Sequence, residues 1–267
     1  MYLRNPQFAG TFYPDDPQVL KEMIEGFLRQ VIIPKLKVKP KALIVPHAGY
    51  IYSGIVAAYG YKTLMDFKYK RIVLLGPSHN FIFSGLAVSP NGKWFTPLGE
   101  VESEGISAFS KIRDVIESSN LIESSQIHEI EHSLEVQIPF LQVVLDNFKI
   151  VPILTGEVNT DTASFLINSI LDENTLLIVS SDLSHYYSYE DAQKLDQVTI
   201  DAILNYDINA LRTFGEACGI TGIEILLKIA AQNKWQIKLL KAANSGDTSG
   251  LKDQVVGYAS FVLYSEK

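Results

Sequence analysis

Short apolar runs alternate with longer stretches of mixed polarity along the whole chain. The runs at 42–45, 71–75, 149–154 and 176–180 are rich in valine, isoleucine and leucine, which is typical of short buried strands. The stretches between them predict helices at 17–30, 54–66, 160–171, 189–205 and 221–233. The first has Asp16 as its N-cap and Pro17 at its first position, as helix starts prefer. This alternation favours an α/β fold with helices on both faces of a sheet.

Two further apolar runs, 236–243 and 255–264, follow near the end of the sequence. The loop between them is too short for a crossover, so they should pair antiparallel. We also expect a strand at 85–89, a loop at 90–99, helices at 103–117 and 133–147, and a short helix at 209–214. The sequence therefore predicts a single domain over residues 1–267, a three-layer α/β/α sandwich with a mostly parallel, partly mixed central sheet.

Composition and charge exclude two classes of partner. The chain has 267 residues, of which 47% are hydrophobic, and a formal net charge of −7. This balance argues against a nucleic-acid partner, which needs a basic face to neutralise phosphates. No run approaches the roughly 18 apolar residues of a membrane span, and no apolar leader is visible, so we expect no membrane association. The single cysteine, Cys218, cannot form an internal disulfide, which favours the reducing cytoplasm.

Three of the five histidines come directly after predicted strands. His47, His79 and His185 each stand in a turn just beyond an apolar run. In open α/β sheets, ligands bind in the crevice outside the carboxyl ends of the strands. We therefore expect these histidines to meet in one crevice, although a single histidine in such a turn is commonly explained by a bond to nearby backbone.

A carboxylate shares the loop of the third histidine. Asp182 precedes His185 by three residues, beyond the run at 176–180. A carboxylate beside an imidazole fixes the tautomer of the ring and raises its basicity, which suits a general base or an outer-shell partner. The alternative is a turn in which Asp182 bonds its own backbone.

Cys218 stands just before the predicted helix at 221–233, where Thr221 and Glu224 form a capping-box pattern. A thiol at a helix N-terminus lies at the positive end of the dipole, which favours the thiolate. Cys218 is therefore either a functional thiol or metal ligand, or a small buried hydrophobic residue.

Residues 128–132 match the His-Glu-x-x-His pattern of zinc proteases. Such a pair binds metal only when both histidines project from one face of a continuous helix. The residues upstream are polar and turn-like, and apolar periodicity begins at Leu134, so we expect the helix to start near Ser133. His128 should then be a solvated loop residue, His132 should point toward the crevice, and the pattern should be a chance match.

Motifs spread along the chain together resemble the Memo family. They are Arg4-Asn5-Pro6, Ala9-Gly10-Thr11-Phe12-Tyr13-Pro14, Pro46-His47-Ala48-Gly49-Tyr50 with Tyr52-Ser53-Gly54, Gly76-Pro77-Ser78-His79, Glu131-His132-Ser133-Leu134-Glu135, Ser180-Ser181-Asp182-Leu183-Ser184-His185 and Cys218-Gly219. They follow one another across nearly the whole chain, which makes the match specific. Memo proteins are similar to class III extradiol dioxygenases, which open catechol-type rings with non-haem iron(II).

The resemblance implies an α/β sandwich with one metal site at the strand ends. Carried over position by position, the metal ligands fall on His47, His79 and Cys218. His185, Asp182 and His132 fall on neighbouring site residues, for which we expect catalytic roles. The implied cofactor is one transition-metal ion, iron or copper first and zinc as the alternative. A radical-SAM protein is the partner that the resemblance implies in prokaryotes.

Cys218 is the departure from the dioxygenases, whose iron is held by two histidines and a carboxylate. A thiolate is softer and also suits copper(I) and zinc, so neither the metal nor ring opening follows from the resemblance. Three functions stay open: a metal-dependent oxidoreductase, a non-catalytic module that binds a peptide or small molecule in the crevice, and a protein that handles copper or iron.

Overall fold

The computed structural model describes residues 1–33, 35–112, 120–248 and 250–266. The strands are β1 (Tyr2–Arg4), β2 (Pro40–Val45), β3 (Arg71–Pro77), β4 (Leu86–Val88), β5 (Gly92–Thr96), β6 (Gly99–Ser103), β7 (Leu121–Glu123), β8 (Lys149–Thr155), β9 (Thr175–Ser180), β10 (His185–Tyr187), β11 (Gln236–Asn244) and β12 (Val255–Tyr264). The helices are α1 (Pro17–Gln30), α2 (Tyr50–Lys62), α3 (Ser125–Glu129), α4 (His132–Glu135), α5 (Ile138–Val144), α6 (Thr160–Ser169), α7 (Tyr189–Leu204), α8 (Ile208–Phe214), α9 (Ile220–Asn233) and α10 (Ser245–Thr248).

One mixed sheet runs through the molecule. Its centre has the order β8-β3-β9-β2, and all neighbours in this group are parallel. β12 pairs antiparallel with both β2 and β11, which confirms the predicted antiparallel pair. On the far side, β6 continues from β8, followed by β5 and β1. The predicted mostly parallel, partly mixed sheet is confirmed.

Alternate residues of the central strands pack on opposite faces of the sheet, as the two-residue repeat of a strand requires. One face carries Ala42, Ile44, Val73, Leu75, Leu177 and Val179, covered by apolar residues of α6, α7 and α9. The other carries Leu43, Val45, Ile72, Leu74, Leu176 and Ile178, covered by apolar residues of α1, α2 and α5. Because both faces of the sheet are buried, these strands are almost uninterrupted apolar runs. The three layers are as predicted.

The region around residue 100 differs from the prediction. The expected loop at 90–99 contains β5, which forms a hairpin with β6. The helix expected from 103 is also wrong at its start, because Ser103 ends β6 and a 3₁₀ segment follows at Ile106–Ile112; residues 113–117 of that prediction lie outside the described residues. Trp94 and Val101 pair across the hairpin and are buried, whereas the charged residues beside them face outward, and such short strands carry little periodic signal.

The sheet order brings three loops to one edge. β2, β3 and β9 lie side by side and point the same way, so the loops after Val45, Pro77 and Ser180 emerge together at their carboxyl ends. Over the part of the chain that the structure describes, no helix is long and apolar enough to cross a membrane.

Candidate metal centre

Three imidazoles meet at this edge of the sheet. His47 follows β2, His79 follows β3, and His132 is the first residue of α4. One ring nitrogen of each lies within 4.8 Å of those of the other two. The ring centroid of His47 lies 5.2 Å from those of His79 and His132, and the ring of His79 stacks on that of His132 with the centroids 4.5 Å apart. This group is the arrangement of side chains that can hold a metal ion.

A hydrogen-bond chain fixes the tautomer of His47. The Ser180 hydroxyl donates to the carbonyl of Ser133 over 2.6 Å and accepts from Nε2 of Gln137 over 2.7 Å. Nε2 of Gln137 also donates to the carbonyl of Pro46 over 3.0 Å, and because a carbonyl oxygen can only accept, this bond sets the orientation of the amide. Since the single proton of Ser180 is already used, Nδ1 of His47, 2.9 Å away, must be the donor. The ring of His47 therefore carries on Nε2 the lone pair that can bind a metal.

Glu131 orients the ring of His79 and lies beside that of His132. Its Oε1 accepts from Nδ1 of His79 over 2.9 Å and lies 3.4 Å from Nδ1 of His132. Burial disfavours the charged form of Glu131, but the bonds from the ring and backbone of His79 and the N–H of Ser133 outweigh it and lower the pKa of Glu131 to about 2. A carboxylate that accepts from Nδ1 leaves Nε2 available as the ligand, the usual outer-shell arrangement of metal sites.

The protonation of the rings suits metal binding. Burial lowers the pKa of His47 well below its usual range, and the neighbouring imidazoles of His132 and His79 add to this effect. Burial also lowers the pKa of His132 to about 4, despite the attraction of Glu131. Imidazoles bind metals in the neutral form, so both rings are ready to bind at neutral pH.

A buried ion pair positions α4. Arg4, at the end of β1, pairs with Glu135, and both side chains are fully buried. The guanidinium also donates to the carbonyls of His128 and Glu131 and lies 4.2 Å from the centroid of Trp94. The N-terminal strand is thereby tied to the segment that carries His132.

Cys218 lies beside this group, outside it. Its Sγ is 3.1 Å from Nε2 of His47 and accepts from the N–H of Asp182 over 3.3 Å, but it is not among the three mutually close donors. The structure thus brings His132 to His47 and His79. The ligand set that the family resemblance implies had Cys218 in that place. Desolvation and the charge of Asp182 raise the pKa of Cys218 to about 12, which is the opposite of the expected helix-dipole effect.

The backbone around Cys218 explains why the thiol lies beside His47 and not at a capped helix N-terminus. α9 begins at Ile220 with Gly219 as its N-cap and no side-chain cap, so the expected capping box does not form. Glu224 instead pairs with Arg212. A side chain at Gly219 would meet Cβ of Ser181 at 2.7 Å, so the glycine lets this turn approach the end of β9 and brings the thiol to His47.

Asp182 and His185 both reach the crevice, with different partners from those expected. The buried Asp182 accepts the N–H of His47 over 2.8 Å and that of Ala48 over 3.3 Å, so it braces the His47 loop and does not orient His185. Burial raises the pKa of Asp182 to about 7, against the effect of these two bonds. Burial also lowers the pKa of His185, which keeps this ring neutral.

The protease-like pattern is split between two short helices. His128 lies in α3, which ends at Glu129, and the chain turns at Ile130 before α4 begins at His132. The expectation of a solvated His128 is wrong: its ring is fully buried, with Nε2 3.0 Å from the carbonyl of Ala87 and its edge toward Trp94. The residues next to His128 in the sequence are polar, so the local pattern did not indicate that β1 and the β5–β6 hairpin cover this ring.

A cavity of about 600 Å³ opens onto the group. His47, His79, His132, Asp182 and His185 line one side of it. Other lining residues come from the β1–α1 loop, the α2 start, the β10 region and the α10–β12 segment. They are the apolar or aromatic Phe12, Tyr52, Tyr186, Leu251, Val256 and Tyr258 and the polar Ser245 and Gln254. The cavity therefore offers a small molecule direct access to the three imidazoles.

Glu131 is a site residue to which the sequence assigns no role, although it stands in the protease-like pattern and in one of the family motifs. Its place directly before His132, in the Glu131-His132-Ser133 motif, is the signal that could have marked it. The carboxylate also accepts the N–H of Ser133 and so caps α4.

Comparison with known proteins gives a consistent family. The model of the Memo-like protein family matches residues 4–262. A MEMO1 family protein from Saccharolobus solfataricus is 39% identical, with 96% of this chain and 97% of that protein covered. MEMO1 family proteins from Thermoplasma volcanium and Methanopyrus kandleri are 35% and 36% identical, each over 97% of this chain and 98% of the relative.

A solved structure supports the fold. The crystal structure of an uncharacterized protein from Escherichia coli superposes with a TM-score of 0.53 and covers 85% of this chain and 100% of that one. Its sequence identity is 13%, so the likeness concerns the fold alone.

Proposed function

The chain belongs to the Memo-like protein family, and on this basis we propose that it is a metal-dependent oxidoreductase that holds one transition-metal ion with His47, His79 and His132. The observation that carries the proposal is the convergence of three imidazole nitrogens within 4.8 Å. Nδ1 of His47 and Nδ1 of His79 each donate a hydrogen bond, so the lone pair that can bind the ion is on Nε2 in both rings. The donor set fits such an ion, because imidazole suits iron, copper and zinc.

The proposed metal is iron or copper. Held by the imidazoles of His47, His79 and His132, such an ion would supply Lewis acidity and a one-electron couple. The residues of this chain have separate tasks. Ser180 and Glu131 hold the rings of His47 and His79 in the binding tautomer, and the aromatic side chains of the cavity wall offer a surface on which a substrate can pack.

His185 is the proposed general base. It lines the cavity with the three imidazoles without belonging to their group. Its lowered pKa keeps a ring nitrogen free to take a proton from a bound small molecule, which is the first requirement of a base. Asp182 acts through the backbone of the His47 loop, whose two N–H groups it accepts.

Cys218 defines the second candidate for the third ligand. The resemblance to the family assigns it this role, and the separation of 3.1 Å between Sγ and Nε2 of His47 favours it as a neighbour of any ion on that nitrogen. A thiol with a raised pKa must lose its proton to bind, so this ligand set would release one more proton on metal uptake than the set with His132.

Metal analysis of the purified chain tests the proposal. Protein loaded anaerobically with iron(II), copper(I) or zinc should bind a single ion, and His47→Ala, His79→Ala and His132→Ala should each abolish binding. His185→Ala is the matched control, since it removes a cavity imidazole outside the group, and should keep the metal. Circular dichroism verifies that each variant folds.

The outcomes separate the candidates. Loss of metal in Cys218→Ala with retention in His132→Ala would replace His132 by Cys218 as the third ligand. Oxygen consumption with a panel of catechols by the iron- or copper-loaded protein tests turnover, and stoichiometric metal without turnover would overturn the oxidoreductase assignment in favour of metal handling.

A further inference from the structure

The loop that carries His185 is bonded through its backbone to two other elements. The N–H of Leu183 donates to the carbonyl of Gly257 in β12 over 2.8 Å, and the N–H of Gly257 donates to the carbonyl of Ser184 over 2.8 Å. The N–H of Ser184 has a different partner, Oδ1 of Asp196 on α7, at 3.0 Å. Both backbone polar groups of the residue directly before His185 are therefore fixed, one by the sheet and one by a side chain.

Asp196 is an unusual residue for its place in α7. The other buried residues of this helix are apolar or threonine, and they are Ala192, Thr199, Ile200, Ala202 and Ile203. Burial raises the pKa of Asp196 to about 6 against the bonds from Ser184, and the charge of Glu216 adds to the effect of burial. At neutral pH the helix thus carries a buried carboxylate at a cost in stability. Such local costs are typical of functional sites.

The sheet makes room for this carboxylate at Gly257. A Cβ at this position would lie 2.0 Å from Oδ2 of Asp196, which is far inside contact distance. Any larger residue there would push the carboxylate away from the loop. The glycine therefore allows β12 and α7 to bond the same loop together.

These bonds determine where the imidazole of His185 lies. His185 begins β10 opposite Val256 of β12, and its ring lines the cavity. A hydrogen bond to the backbone of Leu183 raises the pKa of His185 against the larger effect of burial, so the ring donates this bond to the carbonyl. A base must lie within hydrogen-bond reach of the proton it takes, and a misplacement of about 1 Å can cost about 100-fold in rate.

We propose that Asp196 is a positioning residue, whose carboxylate holds the N–H of Ser184 and thereby places the imidazole of His185 at the cavity. Asp196 is not among the described residues that line this cavity, so it acts through the loop. The inference rests on the proposed function, because it concerns the residue proposed as general base. What the loop requires is an oxygen acceptor, which asparagine also offers and alanine does not.

The ring of His185 reports on its own position without metal or turnover. Long-range proton–nitrogen NMR spectra of the metal-free full chain show the tautomer of each histidine, and His185→Asn assigns the signal. We expect one tautomer in the unmodified chain and in Asp196→Asn. Asp196→Ala should give the averaged shifts of two tautomers, because the ring loses its fixed place beside the carbonyl of Leu183. Unchanged shifts in Asp196→Ala overturn the proposal.

Two further variants sharpen this measurement. Ile203→Ala is the matched control, since it removes buried side-chain volume from the same helix, and it should keep the single tautomer; averaged shifts there would make the effect one of general loosening and overturn the proposal. Gly257→Ala displaces the same carboxylate from the sheet side and should reproduce the averaging. It decides the question if Asp196→Ala does not fold.

A double-mutant cycle gives a second readout on metal-loaded protein. With a catechol that turns over, Asp196→Ala should lower kcat by at least about tenfold at unchanged metal content, and Asp196→Asn should restore most of it. In the His185→Asn background, Asp196→Ala should have almost no further effect, because the two residues act on one step. Multiplied losses would overturn the proposal. Absence of turnover in the unmodified chain would sink the proposed oxidoreductase, and the NMR spectra would still decide whether Asp196 positions the ring.

Discussion

The thiol of Cys218 donates a hydrogen bond to Nε2 of His47 across 3.1 Å. The direction follows from the other nitrogen of the ring, which donates to Ser180 and leaves Nε2 as the acceptor. A metal on Nε2 must displace this proton. Metal uptake is therefore coupled to the position or the ionisation of the thiol, whether or not the sulfur becomes a ligand.

The raised pKa of Cys218 predicts slow alkylation. In the metal-free chain, the rate of reaction with iodoacetamide should still rise between pH 8 and pH 10, because burial and Asp182 raise the pKa of the thiol to about 12. At pH 8 it should be at least about 100-fold slower than in the urea-unfolded chain, whose thiol has a pKa of about 8.5. Since Cys218 is the only cysteine, mass spectrometry reports on it alone. A plateau below pH 9 would contradict the prediction.

Replacing Glu131 by glutamine should weaken metal binding. The amide can no longer serve Nδ1 of His79 as a charged acceptor, and losses of about 10- to 100-fold in affinity are typical when such a partner is removed. Competition with a chromogenic chelator measures the change. Glu129→Gln is the control, since Glu129 accepts a hydrogen bond from Tyr2 and not from the imidazoles; an equal loss in both variants would assign the effect to general destabilisation.

Breaking the buried pair at the N-terminal strand should destabilise the whole protein. Glu135→Ala leaves the guanidinium of Arg4 buried without its carboxylate, which costs about 3–5 kcal/mol of the free energy of unfolding. Urea denaturation measures the difference. The exposed pair of Lys21 and Glu25 gives the comparison, because Lys21→Ala should change stability by less than about 1 kcal/mol. Similar effects of the two substitutions would contradict the buried role.

Replacing Asp196 by asparagine should stabilise the protein in a pH-dependent way. It accepts the N–H of Ser184, and burial raises its pKa to about 6, above the unfolded value of about 3.9. The stability this group contributes is present below pH 4 and is lost as the pH rises through 6. Asp196→Asn should therefore raise the free energy of unfolding by up to about 3 kcal/mol at pH 7.5 and leave it nearly unchanged at pH 4. Thermal unfolding at both pH values measures this, and a gain at pH 4 would contradict it.

His185 should matter for turnover and not for metal content. If the loaded protein oxidises a catechol, His185→Asn should lower kcat by about 100-fold, the usual contribution of a general base, with the metal stoichiometry unchanged. Tyr187→Phe, in the same strand and outside the cavity lining, should leave kcat as it was. Parallel loss of metal and activity in His185→Asn would make His185 a ligand.

The crevice residues were predictable because strand ends are visible in the sequence. The apolar runs at β2, β3 and β9 located His47, His79, Asp182 and His185, since buried strands are continuous apolar segments and parallel strands end at one edge. The helix start near Ser133 placed His132 at the same crevice, and the resemblance to the family added Cys218 to it as a ligand.

The partners of these residues were not predictable from local pattern. Asp182 bonds the His47 loop, which comes from the neighbouring strand. His128 is covered by Trp94 of a short hairpin, whose strands are too brief to show a period. Both depend on register between distant segments, for which no single stretch of sequence carries a signal.

The place of β12 in the sheet has a consequence for biosynthesis. This strand lies between β2 and β11, and Gly257 within it exchanges two backbone hydrogen bonds with the loop before His185, from the N–H of Leu183 and to the carbonyl of Ser184. On the ribosome, the three imidazoles emerge long before Gly257 does. The crevice can form only after β12 has left the exit tunnel. Until then, a nascent chain exposes its histidines to cellular metals before the folded site can discriminate among them.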